Sequence, residues 1–176
     1  MNTNGVFTSP DTIRFERMLN GPIERVWSYL TESEKRGKWL ASGEMELVEG
    51  GKVQLFFLHK ELSPHVETIP EKFRSMEAGH HSTGRVLRVD APRLLSFTFE
   101  GDSEVTISLE PKDENKVLLV LTHTKLPADK NAQVGMLGGW HTHLDILAAN
   151  LKGEVPSGFW AKYMQWEKSY SELVHS

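Results

Sequence analysis

The chain has no cysteine, which removes disulfides, thiolate nucleophiles and cysteine-ligated metals and allows a reducing compartment. It has no apolar run approaching the roughly 18 residues of a membrane helix, and its opening residues, Met1 to Pro10, are polar with no signal-type apolar region. The expectation is a cytoplasmic protein with no membrane partner. Positive charge is the minority sign: 20 Lys and Arg stand against 24 Asp and Glu, for a net charge of -4, so no electrostatic footprint for nucleic acid appears. Nucleotide and hydrolase signatures are missing too. No Gly-x-x-x-x-Gly-Lys loop, no Gly-x-Gly-x-x-Gly at a helix start and no Gly-x-Ser-x-Gly elbow occurs.

What is present fills one domain. A length of 176 residues suits a single hydrophobic core. Residues 1–11 have the mixed Asn, Thr, Ser, Gly and Pro composition of a loosely held arm. From Thr12 the alternation of Ile13 and Phe15 with Arg14 and Glu16 predicts a half-buried strand. Pro22 then opens a short amphipathic helix marked by Ile23, Val26, Trp27 and Leu30, and a second helical turn follows from Ser33 to Leu40. Strands are predicted at Met45 to Glu49, Val53 to Phe57, Thr83 to Asp90, Leu94 to Glu100, Glu104 to Glu110 and Lys116 to Thr124, with Gly50-Gly51 as a hairpin turn. Their short connections favour antiparallel pairing. Between Leu58 and Gly79 lies a long interruption holding Pro64 and Pro70, with one helical turn expected from Pro70 to Met76; a lid and a surface loop without a role are both open readings. A long helix runs from about Ala132 to Lys152, its stripe of Gln133, Met136, Leu137, Trp140, Leu144, Leu147 and Leu151 facing a sheet, and Gly153 ends it. Beyond it, Phe159, Tyr163, Trp166 and Tyr170 recur at helical spacing.

Several segments carry a resemblance. Pro22-Ile23-Glu24-Arg25-Val26-Trp27 followed by Lys38-Trp39-Leu40, then Gly84-Arg85-Val86 leading to Ala91-Pro92-Arg93-Leu94, then Gly139-Trp140-His141-Thr142-His143-Leu144 resemble, in order, the motifs of the family related to the C-terminal domain of the activator of Hsp90 ATPase. That family lies within the START and Bet v 1 superfamily. The resemblance implies an α+β helix-grip fold: a curved antiparallel sheet of six to seven strands wrapped around a long C-terminal helix over residues 12–153. It also implies an apolar hollow between sheet and helix, used in relatives for hydrophobic ligands. The namesake engages Hsp90 largely through an additional N-terminal domain, for which this chain is too short, so Hsp90 is not an expected partner. Residues 154–176 lie beyond the usual domain, and their aromatic stripe needs covering, either by packing on the domain, with Ile146 as a candidate contact, or in a homodimer.

Candidate chemistry is sparse. His141 and His143 sit two apart on the long helix, about 200° around its axis, so one face cannot present both to one metal ion; they read as boundary residues, with His143 the candidate polar group of a cavity. His80 and His81 are adjacent and point to opposite faces of a strand. No metal site, cofactor or catalytic residue is assigned. Arg17 shares the inward face with Ile13 and Phe15, where a charge needs a partner or a ligand carboxylate, unless a bulge or the strand end returns it to solvent. Trp39, Phe57 and Trp140 are candidate cavity walls, although large aromatics at such spacing also serve as plain core. The leading expectation is non-enzymatic binding of a small, mostly apolar molecule, in a stress-response or sensing role. The alternatives are a cyclase- or aromatase-like enzyme using the same hollow, and a co-chaperone-like interaction module.

Overall fold

A computed structural model describes residues 2–176. Seven strands form one antiparallel sheet: β1 (Val6–Ser9), β2 (Thr12–Asn20), β3 (Lys52–Phe57), β4 (His80–Asp90), β5 (Leu94–Phe99), β6 (Ser103–Asp113) and β7 (Lys116–Thr124). Their spatial order is β1-β2-β7-β6-β5-β4-β3, so β2 closes against the last strand while the run from β3 to β7 is a meander. Helices α1 (Ile23–Thr31) and α2 (Ser33–Arg36) lie between β2 and β3, and α3 (Lys130–Lys152) and α4 (Phe159–Val174) follow the sheet. The curved sheet wrapping α3 is the helix grip expected from the sequence.

Alternation makes the sheet one-sided. In β7 the inward residues are Val117, Leu119, Leu121 and His123, and in β6 Val105, Ile107 and Leu109, all buried against the helix layer. Asp129 caps α3 by accepting from the Asn131 backbone N–H at 3.1 Å, and Gly153 ends it at φ 75°, a left-handed conformation that glycine adopts without a side-chain clash.

Three elements depart from expectation. Val6–Ser9, assigned by composition to a loose arm, instead pairs with β2 as an edge strand. The Tyr170 hydroxyl accepts the Gly5 backbone N–H at 2.8 Å, so a contact 165 residues away fixes the segment. Met45 to Glu49 forms no strand; only an isolated Met45–Val53 bridge remains, because the chain turns tightly through the Gly51 N–H to Val48 carbonyl bond. Nearby, Arg36 is buried and donates to the carbonyls of Ala41, Leu30, Thr31 and Gly43, and burial pulls its pKa down to about 10. That array holds the α1–α2 corner against the sheet.

The third departure concerns α3, which is buried on more than one face. The sheet covers Leu137, Trp140, Leu144, Leu147 and Leu151, and α4 covers the opposite side, where Gly138 allows close approach: a Cβ there would lie 3.3 Å from the Glu167 backbone nitrogen. The aromatic stripe of α4 is thereby covered by its own domain, with Phe159, Tyr163 and Tyr170 buried and Trp166 half-buried against the core. His141 and His143 are interior residues and not boundary ones, 1% and 6% exposed: α4 roofs His141 with Trp166 and Tyr170, while His143 is enclosed by Trp39, Phe57 and His59 together with Phe159 of α4.

Candidate binding cavity

A cavity of about 300 Å³ lies between the sheet and α3. Phe57 from the end of β3 and Phe99 from the end of β5 form its sheet side, Met136, Gly139 and Trp140 its helix side, and Leu40 and Met76 close its flanks. His59 and His143 sit within it, and Gly135, His80 and Glu100 complete the lining, with His80 Nε2 3.2 Å from a Glu100 carboxylate oxygen at the partly exposed end. No Lys or Arg is among the residues lining it.

Its aromatic walls are fixed from behind. Trp140 Nε1 donates to His123 Nδ1 at 3.0 Å, His123 Nε2 donates to Ser103 Oγ at 2.8 Å, and Ser103 Oγ donates to the Phe99 carbonyl. The indole can only donate, so His123 Nδ1 is the acceptor and the proton resides on Nε2. His123 is fully buried, and burial pushes its pKa down to about 4, in keeping with a neutral ring. The Phe99 ring stands edge-on to His123 at 5.3 Å and tilted against Trp140 at 5.3 Å.

His143 is oriented in the same way. Its Nδ1 lies 2.7 Å from the Trp39 carbonyl oxygen, which can only accept, so Nδ1 carries the proton and Nε2 carries the lone pair. Burial lowers its pKa to about 4, and the Trp39 carbonyl opposes that only in part. The His59 ring lies 5.7 Å from that of His143 and also packs on Phe159 and Trp160. Its Nδ1 is enclosed without a hydrogen-bond partner, and its pKa falls to about 3, first through burial and then through His143 and His80.

The sequence candidates therefore divide. Phe57, Trp140 and His143 converge on the cavity. Trp39 does not line it: its side chain is fully buried, its indole donates to the Tyr29 carbonyl at 2.8 Å, and it contributes only the carbonyl that orients His143. Arg17 stays on the inward face of a regular β2 but lies outside the cavity, where it donates to the carbonyls of Thr3 and Glu16 and pairs with Asp145 at 3.5 Å. That cluster continues through His141, whose Nδ1 is 2.7 Å from the Tyr170 hydroxyl and whose ring stacks on Trp166 at 3.6 Å. His59 and His123 were not singled out from the sequence. For His123 a signal existed, since it continues the inward 117, 119, 121 register of β7; for His59, in an irregular segment, none did.

A second, larger cavity of about 680 Å³ lies between the 58–79 segment and the start of α4, and His59 and Met76 line both. The segment is tied down at several points. Ser63 Oγ donates to the Pro156 carbonyl at 2.7 Å, and Lys72 pairs with Glu167 at 2.5 Å. Phe73 stacks on Trp160 at 4.8 Å. Glu67 accepts the backbone N–H groups of Trp160 and Ala161, each at 2.8 Å. Among the described residues no group of three or more His, Asp or Glu side chains is arranged to hold a metal ion, and no helix is long and apolar enough to cross a membrane.

A curved sheet gripping a long helix, with an apolar hollow between them, defines a helix-grip protein of the Bet v 1-like class. Within that class the chain belongs to the family of activator of Hsp90 ATPase homolog 1-like proteins, whose family model matches residues 20–152. The match ends with α3, leaving α4 outside it. A Bordetella parapertussis protein solved by solution NMR is 39% identical, with a TM-score of 0.81 over 97% of this chain and 90% of that one. CalU16 from Micromonospora echinospora is 23% identical, with a TM-score of 0.64 over 94% and 89% of the two chains. A conserved protein of unknown function from Enterococcus faecalis is 19% identical, with a TM-score of 0.68 over 97% and 90%. These last two share the fold. No curated protein matches the chain.

Proposed function

We propose that the protein is a non-enzymatic binding module that holds a small, mostly apolar molecule between its sheet and α3. The observation that carries this reading is the hollow itself, about 300 Å³ and walled by Phe57, Phe99 and Trp140, where side chains would otherwise fill the core. Fixing Trp140 from behind through His123 supports it, since a preorganised wall lowers the entropic cost of binding. Native mass spectrometry of the purified protein, followed by denaturing extraction, tests the reading. A released small molecule that is absent from a Gly139→Leu variant is the expected result, because a side chain at Gly139 grows into the hollow and its Cβ meets nothing within 4 Å. Retention by that variant at wild-type stoichiometry would count against this site.

A cyclase-like enzyme is the second reading, favoured by two imidazoles of lowered pKa, His59 and His143, on one cavity. Binding is preferred because a ring whose pKa lies near 4 is a weak general base at neutral pH, and the oriented nitrogen of His143 faces a backbone carbonyl in place of an activating carboxylate.

A further inference from the structure

The hydrogen-bonding capacity left over on the α3 side of the cavity is one-sided. Trp140 brings one N–H, and His123 consumes it. His143 brings one N–H on Nδ1, and the Trp39 carbonyl consumes it. The other nitrogen of His143, Nε2, has no partner among the described residues, and it is absent from the fully enclosed polar atoms, so it opens onto the hollow that the ring lines. With the Nδ1 proton fixed, Nε2 offers a lone pair and nothing else. Only His59 retains a ring proton whose position the surrounding groups do not dictate.

The lining is also poor in positive charge. No Lys or Arg lines the hollow, His59 and His143 within it are buried, and the Glu100 carboxylate at its open end is paired with His80 Nε2 at 3.2 Å. An anion that passes beyond that pair finds no Lys or Arg to offset its desolvation.

Resting on the binding reading above, we propose that the ligand is a compact, uncharged, largely apolar molecule that donates a hydrogen bond, through a hydroxyl or N–H group, to His143 Nε2. A fatty acid or other carboxylate is the class this site disfavours. The polar handle thus gives selectivity by the sense of one hydrogen bond: a molecule with a hydroxyl is held, and its methyl ether, which keeps the apolar body but loses the donor, leaves Nε2 unpaired.

Three naphthalene probes separate the possibilities on the full chain: 2-naphthol, 2-methoxynaphthalene and 2-naphthoate, titrated calorimetrically and by NMR with uniform ¹⁵N label, which reports the backbone amides and the histidine ring nitrogens together. In the free protein the His143 Nδ1 resonance should be of the protonated type and Nε2 of the lone-pair type. Naphthol should bind about tenfold more tightly than the methyl ether, the value of roughly one net hydrogen bond, and should shift the Nε2 resonance as that nitrogen accepts a bond. Naphthoate should bind at least tenfold more weakly than naphthol. His143→Phe should bring the naphthol-to-ether ratio to about one; if that variant fails to fold, the wild-type ring resonances still decide. Equal affinity for naphthol and its ether, an unmoved Nε2 signal, a proton on Nε2 in the free protein, or tightest binding by naphthoate would each overturn the inference while leaving a binding cavity in place. Binding of none of the three, with no change at the Gly139 and Trp140 amides, would remove the proposed function along with it.

Discussion

Trp140 of α3 and His123 of β7 are joined by a 3.0 Å hydrogen bond from the indole nitrogen to Nδ1. The bond fixes the tautomer of a fully buried imidazole and the rotamer of the largest cavity wall at once. Removing the indole by Trp140→Phe strands Nδ1 in the core as well as emptying volume, so the variant should lose about 2–4 kcal/mol in urea unfolding. His123→Phe should be costly by a similar route, since it strands the Trp140 N–H. The double variant should cost less than the sum, with a coupling of about 1 kcal/mol or more. Additive effects would show that the two residues do not act as a pair.

Four buried histidines make the fold acid-sensitive. Burial lowers His59 and His141 to about 3 and His123 and His143 to about 4, from an ordinary 6.5. Between about pH 6.5 and pH 4 the unfolded chain binds protons that the folded chain refuses. Stability is therefore present in full above pH 6.5 and falls as pH falls, each ring contributing up to about 1.4 kcal/mol per pH unit. The urea midpoint should decline steeply between pH 7 and pH 5. His59→Phe should flatten that slope by one group's share and leave the protein at least as stable at pH 7, because it replaces an imidazole with an unpaired Nδ1, packed among Phe57, Phe159 and Trp160, by another ring. An unchanged slope would mean that His59 is already protonated in the folded state.

Adjacent glycines on α3 should respond oppositely to the same substitution. A Cβ on Gly139 meets nothing within 4 Å, while one on Gly138 would sit 3.3 Å from the Glu167 backbone nitrogen and 3.4 Å from the Tyr163 ring. Gly139→Ala should stabilise by about 0.5–1 kcal/mol through helix propensity. Gly138→Ala receives the same propensity gain but must push α4 outward, so it should come out neutral or destabilising in thermal melts. Equal stabilisation of both would mean that α4 is free to shift.

These particulars mark how far the sequence reached. Strands with one solvent face were legible because alternation is a local signal, and β7 was anticipated to its end residues, Lys116–Thr124. The helix-grip layout followed from element order and the family motifs. What escaped was whatever a distant contact decides. The residue preceding β1, Gly5, is held by Tyr170; the burial of His141 is decided by α4, and that of His143 by Trp39, Phe57 and His59 together with Phe159, none of which helical periodicity along α3 reveals. Phe57 and Trp140 are legible as cavity candidates because each lies on a periodic apolar stripe, and His143 because it borders one as a polar group. Arg17 was placed on the correct face, yet periodicity along one strand says nothing about which part of the helix stands opposite, and Asp145 stands there.

Glu67 bears on the segment whose role the sequence left open. Its carboxylate accepts the Trp160 and Ala161 N–H groups at 2.8 Å each, where the first turn of α4 has unpaired donors and the positive end of the helix dipole. Gly158 makes room for it, since a Cβ there would overlap the Glu67 side chain. The segment supplies His59 and Met76, which stand between the outer and central cavities, so what fastens Glu67 also fastens that partition. Glu67→Ala should lower stability by about 0.5–2 kcal/mol, the usual worth of a cap of this kind, and the loss should be local. Hydrogen exchange should quicken at the amides of residues 159–161 and through residues 60–76, while β5, β6 and β7 keep their protection. Glu67→Gln, which retains an acceptor but not the charge, should fall between the two. A uniform change across the sheet would mean that Glu67 supports the whole fold, and no change at residues 60–76 would mean that the other ties, Ser63 to Pro156 and Lys72 to Glu167, hold the partition by themselves.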